Sequence, residues 1–372
     1  MKNMKRREVV QGLGALGAGL GLSACGQQQP VATGGPVEAE KPREWKMVTT
    51  WPKNFPGLGT GAEHLASTIT AMSGGRLTVK VYGAGERVPA LETFDAVSAG
   101  AAEMGHCAAY YWKGKSPAAP FFTAVPFGLT AQEQNGWLYH GGGLELWREL
   151  YSQFNLVPFE AGNTSVQMGG WFNRKINSLA DLKGLKMRIP GLGGEVLQRL
   201  GVETLNIPGG ELFTAMQTGV IDATEWVGPY NDLAFGFHKV AKYYYYPGWQ
   251  EPGPTLECII NKSAWESLPA DLQAIVATAC EATGQHMMAE YAARNQQALD
   301  TLVNEHGIQV VPFPDEVLDA LRKTSDQVLE ELVAGDAFAR RVYDSYRAFR
   351  DKVAPYTAIS DLAYLQVRNR AG

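Results

Sequence analysis

Apolar and polar residues alternate in the N-terminal part of the chain in a pattern typical of an α/β domain. Strands are indicated where apolar side chains recur at every second position, and helices where they recur at every third or fourth. The pattern predicts strands at residues 45–50, 77–82 and 103–109, with helices at 63–73 and 88–99 between them. This order predicts a mainly parallel sheet with ligand-binding loops beyond the strand carboxyl ends, where Tyr110, Tyr111 and Trp112 follow the third strand.

A second unit with the same kind of alternation begins near Val166. Turn-forming residues at 177–184 precede its first strand, and glycines follow that strand directly before a predicted helix. The predicted elements are strands at residues 186–190, 204–207 and 221–227 and helices at 195–200 and 210–219. The chain therefore contains two α/β units in succession.

The longest stretch of helical periodicity runs from residue 269 to residue 306. A helix of that length would extend roughly 55 Å, whereas a domain of ~150 residues is only about 30–35 Å across. We therefore expect this helix to pack on both domains, and a break at Gly284 is the alternative. Two further amphipathic stretches, at 315–334 and 336–353, can pack on the body of the protein or on a second subunit.

These patterns predict a hinge-bending pair of α/β domains strapped by one long helix. We assign residues 44–165 and about 252–290 to domain I. Residues 166–251 and about 291–313 are assigned to domain II. Residues 314–372 are predicted to form C-terminal helices, which are a possible dimer interface.

The first residues have the pattern of an export signal. Basic residues, including Arg6 and Arg7, precede an apolar stretch at 9–22 that is too short to span a membrane. The paired arginines resemble a twin-arginine signal. Residues 22–25 resemble a lipobox, which implies cleavage before Cys25 and lipidation of its thiol. A plain Sec signal with an incidental cysteine is the alternative.

Residues 25–43 then read as a flexible tether, because they are rich in Gln, Pro, Gly and Glu and contain few apolar side chains. With the signal at residues 1–24 removed, this arrangement predicts a folded domain that is connected to its anchor by a flexible segment. We therefore expect a periplasmic protein that is lipid-anchored to a membrane.

Composition and charge narrow the class of protein. The 372 residues are 45% hydrophobic and 19% charged, as expected for a soluble globular protein of two domains. The formal net charge of −5 argues against binding to nucleic acid. The three remaining cysteines, Cys107, Cys258 and Cys280, fit neither a zinc pattern nor a disulfide framework. Buried thiols are expected, and Cys258 could pair with Cys280 only if the fold brings them together.

The sequence lacks the motifs of several common catalytic sites. Its six histidines include no H-E-x-x-H motif and no i, i+4 pair, so a helical zinc site is not indicated. Neither a G-x-S-x-G nucleophile elbow nor a G-x-x-x-x-G-K-[ST] phosphate loop occurs. These absences weaken an enzyme interpretation without excluding it.

Polar residues in apolar surroundings of the second unit are the candidate binding groups. Arg188 precedes a glycine-rich helix start, and a guanidinium beside free backbone N–H groups is suited to a carboxylate. A structural ion pair between Arg188 and Glu195 is the alternative. Gln167, Glu225 and Glu251, with a main-chain carbonyl, would form an all-oxygen set that suits Na⁺ or Ca²⁺ and does not suit zinc.

Three segments carry a resemblance to a known family: residues 182–190 (LKGLKMRIP), 212–223 (LFTAMQTGVIDA) and 261–269 (NKSAWESLP). They resemble the substrate-binding proteins of TRAP (tripartite ATP-independent periplasmic) transporters, the DctP-like family. The resemblance implies a two-domain clamshell of the periplasmic-binding-protein type with a strapping helix. It also implies that Arg188 pairs with a substrate carboxylate and that the partners are the membrane components of a TRAP transporter.

Within that family the chain resembles the branch that binds 2-oxo acids and lactate. The resemblance rests on residues 224–229 (TEWVGP) and 249–253 (WQEPG). It implies a homodimer formed through the C-terminal helices and a cation between protein and substrate. The implied cation ligands are Gln167, Glu225, the Trp226 carbonyl oxygen and Glu251.

The favoured hypothesis is an extracytoplasmic binding protein for a small 2-oxo or 2-hydroxy monocarboxylate of the pyruvate, 2-oxobutyrate or lactate type. One alternative is a binding protein for a C4-dicarboxylate or sugar acid without metal, although two glutamates in the pocket make a further carboxylate costly. Another is a secreted metal-dependent enzyme with Glu225 or Glu251 as general base. The predicted substrate-binding residues are Arg188, Gln167, Tyr110, Tyr111 and Trp112. The exact acid, and the choice between Na⁺ and Ca²⁺, stay open.

Overall fold

The computed structural model describes residues 41–370, so the predicted export signal and Cys25 lie outside the described residues. The described chain alternates strands and helices. Its strands are β1 (Arg43–Thr49), β2 (Leu77–Tyr82), β3 (Met104–Cys107), β4 (Leu156–Asn163), β5 (Gly170–Phe172), β6 (Lys186–Arg188), β7 (Glu203–Leu205), β8 (Ala223–Thr224), β9 (Tyr243–Tyr246), β10 (Thr255–Asn261) and β11 (Gln309–Pro312). Its helices are α1 (Leu58–Met72), α2 (Thr93–Ser98), α3 (Ala131–His140), α4 (Gly143–Ser152), α5 (Gly191–Arg199), α6 (Leu212–Gln217), α7 (Pro229–Phe235), α8 (Lys262–Glu266), α9 (Ala270–Asn304), α10 (Asp315–Ala334), α11 (Ala337–Thr357) and α12 (Ala363–Arg368).

The first sheet has the strand order β2-β1-β3-β10-β4, and we call it and the helices packed on it lobe I. Strand β1 lies parallel to β2 and β3, whereas β10 lies antiparallel to β3 and β4. Alternation along β1 explains why both faces are covered, because successive side chains point to opposite faces. Met47 packs in a cluster with residues of α1 and α9, and Val48 packs in another cluster with residues of α2.

The second sheet has the order β11-β9-β5-β8-β6-β7 and defines lobe II. Strand β6 lies between β7 and β8 and is parallel to both. Strand β5 lies antiparallel to β8 and β9. The predicted strand at 221–227 is shortened to β8, since the chain leaves the sheet at Glu225. The α/β architecture, expected from the sequence, is confirmed. The expectation of a mainly parallel first sheet is wrong, because β10 inserts between β3 and β4 and lies antiparallel to both.

The chain passes between the two sheets three times. It crosses from β4 to β5, returns from β9 to β10, and crosses again through α9 to β11. The first two crossings run side by side, because the Thr164 N–H donates to the Pro254 carbonyl oxygen at 3.3 Å. The residues between β4 and β5 and between β9 and β10 are therefore held next to both lobes.

Helix α9 is continuous through Gly284, so the alternative of a broken helix is wrong. It packs on β4 and α1 of lobe I and on α7 of lobe II, as expected for a strapping helix. Helix α11 packs on α3 and α4, whereas α10 packs on α5 and α11. Of the helices in residues 41–370, none combines the length and apolar character needed to cross a bilayer.

The three cysteines of the described residues are free and fully buried. The fold brings Cys258 on β10 and Cys280 on α9 into one apolar cluster of lobe I, without a disulfide between them. Cys107 lies on the opposite side of the same sheet and contacts Glu257. The expectation of buried thiols agrees with these positions.

A buried carboxyl group lies where α9 crosses β4. Glu160 is 3% exposed, and its carboxylate accepts hydrogen bonds from the Gly162 N–H at 3.1 Å and the Tyr139 hydroxyl at 3.2 Å. A Cβ atom at position 284 would lie 2.1 Å from Oε1 of Glu160, so α9 carries a glycine where the carboxylate needs the space. Burial raises the pKa of Glu160 to about 8.

This carboxyl group should make the stability of the protein fall with rising pH. Its pKa is 4.5 in an exposed setting and about 8 when folded, so the folded state binds a proton that the unfolded state releases. The stability that this proton binding contributes is fully present below pH 4.5 and is lost as the pH rises through about 8. Glu160→Gln keeps the shape of the side chain but does not titrate. Between pH 6 and pH 8, the unfolding free energy of the variant should therefore fall by about 2 kcal/mol less than that of wild type.

Urea unfolding at pH 6 and pH 8 measures this difference, and Glu305→Gln, at an exposed position, is the matched control. The control should retain the wild-type dependence on pH. Equal losses in wild type and Glu160→Gln would show that Glu160 does not hold a proton in the folded protein.

Candidate functional site

Two of the predicted ligands lie on the adjacent crossings between the lobes. Gln167 follows β4 and Glu251 follows β9, and the Gln167 N–H donates to the Glu251 carbonyl oxygen at 3.1 Å. A Cβ atom at position 248 would lie 2.1 Å from the Gln167 carbonyl oxygen, so glycine at 248 permits this close approach. The Gln167 amide donates through Nε2 to the Thr164 hydroxyl at 3.0 Å, which fixes its orientation.

Arg188 and Glu225 lie at the carboxyl ends of two neighbouring parallel strands, β6 and β8. The Nη1 group of Arg188 donates to Oε1 of Glu225 at 2.5 Å and to its carbonyl oxygen at 3.1 Å. The Nε group donates to the Ile207 carbonyl oxygen at 3.1 Å. The two side chains are 1% and 0% exposed, so this is a fully buried ion pair.

The alternative ion pair between Arg188 and Glu195 does not form. Glu195 on α5 instead pairs with Lys113, which follows the short 3₁₀ turn Ala109–Trp112 of lobe I. This pair therefore joins the two lobes at the edge of the site. Within residues 41–370, Arg188 forms its ion pair with Glu225, which is equally buried.

Trp226 forms the floor beneath the guanidinium. The centre of its ring lies 5.1 Å from Cζ of Arg188, a distance at which a cation–π interaction is favourable. Its ring also makes edge-to-face contacts with Trp51 and Phe55 of lobe I and with Phe235 of α7. A Cβ atom at position 209 would lie 2.3 Å from the indole, so Gly209 leaves room for the ring.

Three oxygen atoms of the predicted cation ligands lack hydrogen-bond partners. Oε1 of Gln167, Oε2 of Glu225 and Oε2 of Glu251 are buried and accept no hydrogen bond within the described residues. An unsatisfied buried acceptor costs about 1–3 kcal/mol, and more when it is charged. Three of them in the residues expected to hold one ion fit a hard cation, which binds oxygen ligands.

The electrostatics of the two glutamates agree with that fit. Burial raises the pKa of Glu225 to about 7, against the opposing effect of Arg188. Burial, followed by the charge of Glu225, raises the pKa of Glu251 well above its ordinary value. Residues 41–370 contain no group of three His, Cys, Asp or Glu side chains arranged to hold a metal ion. A cation here would therefore depend on amide and main-chain oxygens as well as on the two carboxylates.

A small cavity between the lobes is lined in part by Gln167 and Trp226, and Tyr110 and Tyr111 form another part of its wall. Arg188, Glu225 and Glu251 are not among the residues that line it. Burial raises the pKa of Tyr110 well above its ordinary value, so its hydroxyl stays protonated and can donate a hydrogen bond. The residues that line the cavity are Trp51, Leu58, Tyr110, Tyr111, Thr164, Gln167, Trp226, Val227 and Leu256.

Trp112 is not among the residues that line this cavity. Its indole N–H donates to Oε1 of Glu257 at 2.7 Å, inside lobe I. The carboxylate of Glu257 also accepts hydrogen bonds from Tyr151 at 2.8 Å and from the Cys107 thiol at 3.2 Å. Trp112 therefore anchors the turn that carries Tyr110 and Tyr111, because the three residues are consecutive in the sequence.

Trp51 is a cavity residue that the sequence analysis did not single out. Its indole N–H donates to Nδ1 of His106 at 2.7 Å, and Nε2 of His106 lies 3.0 Å from the Ala161 carbonyl oxygen. An indole N–H can only donate, so Nδ1 accepts and Nε2 carries the proton. Burial lowers the pKa of His106 to about 4, which keeps the ring neutral. The position of Trp51 just beyond the carboxyl end of β1 was the available signal.

With this geometry in place, comparisons with known proteins identify the family. The family model described as bacterial extracellular solute-binding protein, family 7 (DctP), matches residues 47–336. The chain belongs to this family. DctP proteins are extracytoplasmic solute-binding proteins, and the family expected from the sequence is confirmed.

Similar proteins of the family have named ligands. A monocarboxylate 2-oxoacid-binding periplasmic protein of Nostoc sp. is 45% identical over 362 residues, which cover 97% of this chain and 98% of the relative. The crystal structure of a TRAP periplasmic solute-binding protein from Pseudoalteromonas atlantica contains sodium and pyruvate. It is 45% identical with a TM-score of 0.85, and the match covers 88% of this chain and 99% of that one.

A third similar protein is a TRAP transporter solute-binding protein of Bordetella bronchiseptica. It is 39% identical, with a TM-score of 0.87 over 88% of this chain and 97% of that one. Its crystal structure is a mixed-occupancy dimer with copurified calcium and picolinate in the active site. Sodium and calcium are thus both found with small carboxylates in structures similar to this DctP protein.

Proposed function

We propose that this DctP protein binds a small 2-oxo or 2-hydroxy monocarboxylate through Arg188 and a bridging Na⁺ or Ca²⁺. The observation that carries the proposal is the set of three buried, unpartnered oxygens on Gln167, Glu225 and Glu251, close to a buried arginine. The named ligands of the proteins from Nostoc and Pseudoalteromonas support the same class of solute.

The arginine and the cation would divide the work of binding. In the structure, Nη1 and Nε of Arg188 are bonded to protein oxygens, and Nη2 makes no hydrogen bond to residues 41–370. Nη2 is therefore the group that can donate to a ligand carboxylate. A 2-oxo acid has a keto oxygen next to its carboxylate. A hard cation would coordinate both the keto oxygen and a carboxylate oxygen, and it would be held by Gln167, Glu225, Glu251 and the Trp226 carbonyl.

The rest of the cavity sets the chemistry of the ligand's tail. Leu58, Val227 and Leu256 contribute apolar side chains, and Trp51 contributes an indole whose N–H is already bonded to His106. A second carboxylate against these apolar side chains would lose its hydration, and the donors left in the cavity wall are uncharged hydroxyl and indole groups. A short alkyl tail meets no such penalty, which favours a monocarboxylate over a C4-dicarboxylate or a sugar acid.

Glu251 offers the sharpest test of the bridging cation. Oε2 of Glu251 accepts no hydrogen bond within residues 41–370, so Glu251→Gln replaces a proposed cation ligand without breaking a hydrogen bond at that atom. We expect the metal-free variant to be at least as stable as wild type, because it no longer buries that carboxylate. Its binding of calcium, and the calcium-dependent binding of pyruvate, should be lost together.

The measurement is a thermal-shift titration of chelator-treated protein with pyruvate, 2-oxobutyrate, lactate, succinate and a sialic acid, each with and without Ca²⁺ or Na⁺. Ligand at a hundred times its dissociation constant should stabilise wild type by about 2.7 kcal/mol. Glu305→Gln is the control and should behave as wild type. A shift with succinate or sialic acid that needs no cation would favour the alternative ligands, and chemical conversion of the bound acid would indicate an enzyme.

We further propose that two copies of the chain pair through their C-terminal helices. The segment from α11 to α12 exposes apolar side chains, of which Ile359 is 75% and Leu362 is 50% exposed. Residues 358–362 continue the helix between α11 and α12, so these side chains lie on one extended element. The dimer seen in the Bordetella crystal supports a second copy as the occupant.

Charge placed on this segment should separate the copies. The double variant Ile359→Glu and Leu362→Glu is expected to be monomeric in sedimentation velocity, because burying two carboxylates in an apolar interface is costly. Val220→Glu changes another exposed apolar residue, in lobe II, and should stay dimeric. A monomeric wild type, or a double variant that keeps the dimer mass, would contradict the interface.

We also propose that lipidation of Cys25 anchors the protein outside the cytoplasm. Support comes from the lipobox-like residues 22–25, which lie outside the described residues. Cys25→Ser should move the protein from the membrane fraction to the soluble periplasmic fraction after cell fractionation. Gln27→Ser, two residues further on, should leave it in the membrane fraction. Membrane association of both variants would contradict the anchor.

A further inference from the structure

A third buried carboxylate lies directly behind the Glu225–Trp226 segment. Asp232, on α7, is 1% exposed. Its Oδ2 atom accepts hydrogen bonds from the Trp171 indole N–H at 2.9 Å and the Tyr244 hydroxyl at 2.6 Å. Its Oδ1 atom accepts from the Val227 N–H at 3.3 Å. One carboxylate oxygen is therefore bonded to side chains of the lobe II sheet, and the other is bonded to the loop that follows β8.

The two donors on the sheet side form a rigid support. Trp171 lies on β5 and Tyr244 on β9, which are paired strands, and their rings stack with centres 4.1 Å apart. Both side chains are fully buried. A carboxylate that is bonded to both of them has a fixed position relative to the sheet of lobe II.

The loop side of the carboxylate reaches the proposed cation ligands through one residue. Val227 directly follows Trp226, and its N–H is held by Asp232. Its carbonyl oxygen accepts a hydrogen bond at 3.0 Å from the Met168 N–H, next to Gln167. Val227 thus connects the segment of Glu225 and Trp226 with the segment of Gln167, and Asp232 fixes its place.

We infer that Asp232 is a positioning residue that aligns the Glu225 carboxylate and the Trp226 carbonyl oxygen for the cation. This inference rests on the proposed function. Asp232 does not reach the cation site itself, since both of its oxygens are bonded to groups of lobe II. Residues that orient metal ligands in this way typically change metal affinity 10–100-fold when they are replaced.

The chemistry at position 232 requires a carboxylate. Two of its three partners, the Trp171 indole and the Val227 amide, can only donate hydrogen bonds. An asparagine has one oxygen and one NH₂ group, so in either orientation its NH₂ group faces one of these donors. Asp232→Asn therefore releases either the sheet contact or the loop contact, although the side chain keeps its size.

The experiment compares Asp232→Asn with Glu257→Gln in the full chain. Glu257 is a matched control, because it is a buried carboxylate bonded to a tryptophan, a tyrosine and a third donor, and it lies in lobe I. Chelator-treated proteins are titrated with Ca²⁺ alone by calorimetry and with Tb³⁺ by tryptophan-sensitised luminescence. Pyruvate is then titrated at saturating Ca²⁺, and thermal unfolding is recorded without metal.

Asp232→Asn should weaken Ca²⁺ binding by roughly 10–100-fold and keep the affinity for pyruvate at saturating Ca²⁺. Glu257→Gln should keep the affinity for Ca²⁺, and it should lower the thermal stability less than Asp232→Asn does, because its NH₂ group can donate to the Tyr151 hydroxyl while its oxygen keeps the Trp112 contact. Equal Ca²⁺ affinity in wild type and Asp232→Asn would overturn the inference, as would an equal loss in Glu257→Gln. Wild type that binds neither Ca²⁺ nor pyruvate would instead overturn the proposed function.

A milder variant covers the case in which Asp232→Asn does not fold. Tyr244→Phe removes one donor to Oδ2 and leaves the carboxylate, the Trp171 contact and the ring stacking in place. It should weaken Ca²⁺ binding in the same direction by a smaller factor. Wild-type Ca²⁺ affinity in folded Tyr244→Phe would count against the positioning role.

Discussion

The ion pair between Arg188 and Glu225 is fully buried, and the other groups of the site are arranged around this pair. Removing one partner of such a pair typically costs about 3–5 kcal/mol, since the other charge stays buried. The pair itself is balanced, but Glu251 adds a second carboxylate to the same region, and its pKa is raised by burial and by Glu225. Burial therefore favours the protonated forms of both glutamates before any ligand enters. In the proposed function, a cation would favour their charged forms, and the acid would meet both Arg188 and the cation.

The path of the chain explains why these groups meet. Parallel strands bring Arg188 and Glu225 to one edge of the lobe II sheet, where binding groups usually gather in α/β proteins. Gln167 and Glu251 come from the two crossings between the lobes, which are hydrogen-bonded to each other. Lobe I contributes Tyr110 and Trp51 from the ends of its own parallel strands. Each lobe thus supplies part of the cavity wall, and the two crossings supply Gln167 and Glu251.

Much of the architecture could be predicted, because the local spacing of apolar residues indicates where helices and strands form. The helix at 315–334 has the predicted bounds, and the long helix was predicted within two residues at each end. Predictions failed where distant contacts decide: α1 begins five residues earlier than expected, since Gly59 and Gly61 lie against Pro52 and Met287, where a Cβ would collide. Glycines that looked like a loop are thus the start of a helix.

The same distinction applies to the site. Arg188, Gln167, Glu225 and Glu251 stand in unusual local contexts, so sequence reasoning could single them out, and family resemblance gave them roles. Trp112 follows the same strand as Tyr110, but a glutamate far away in the sequence turns its side chain elsewhere. His106 and Asp232 have ordinary neighbours in the sequence, and their importance comes from partners on other elements. Such roles are set by tertiary contacts, which a single sequence does not display.

The glycine at position 284 affects which substitutions the chain can accept during evolution. A glycine inside a helix lowers its stability by about 1 kcal/mol relative to alanine, and here the space it leaves is filled by the Glu160 carboxylate. The two positions are therefore constrained as a pair. A larger residue at 284 would require the end of the Glu160 side chain to move. Its carboxylate would then leave its present position against the Gly162 N–H and the Tyr139 hydroxyl.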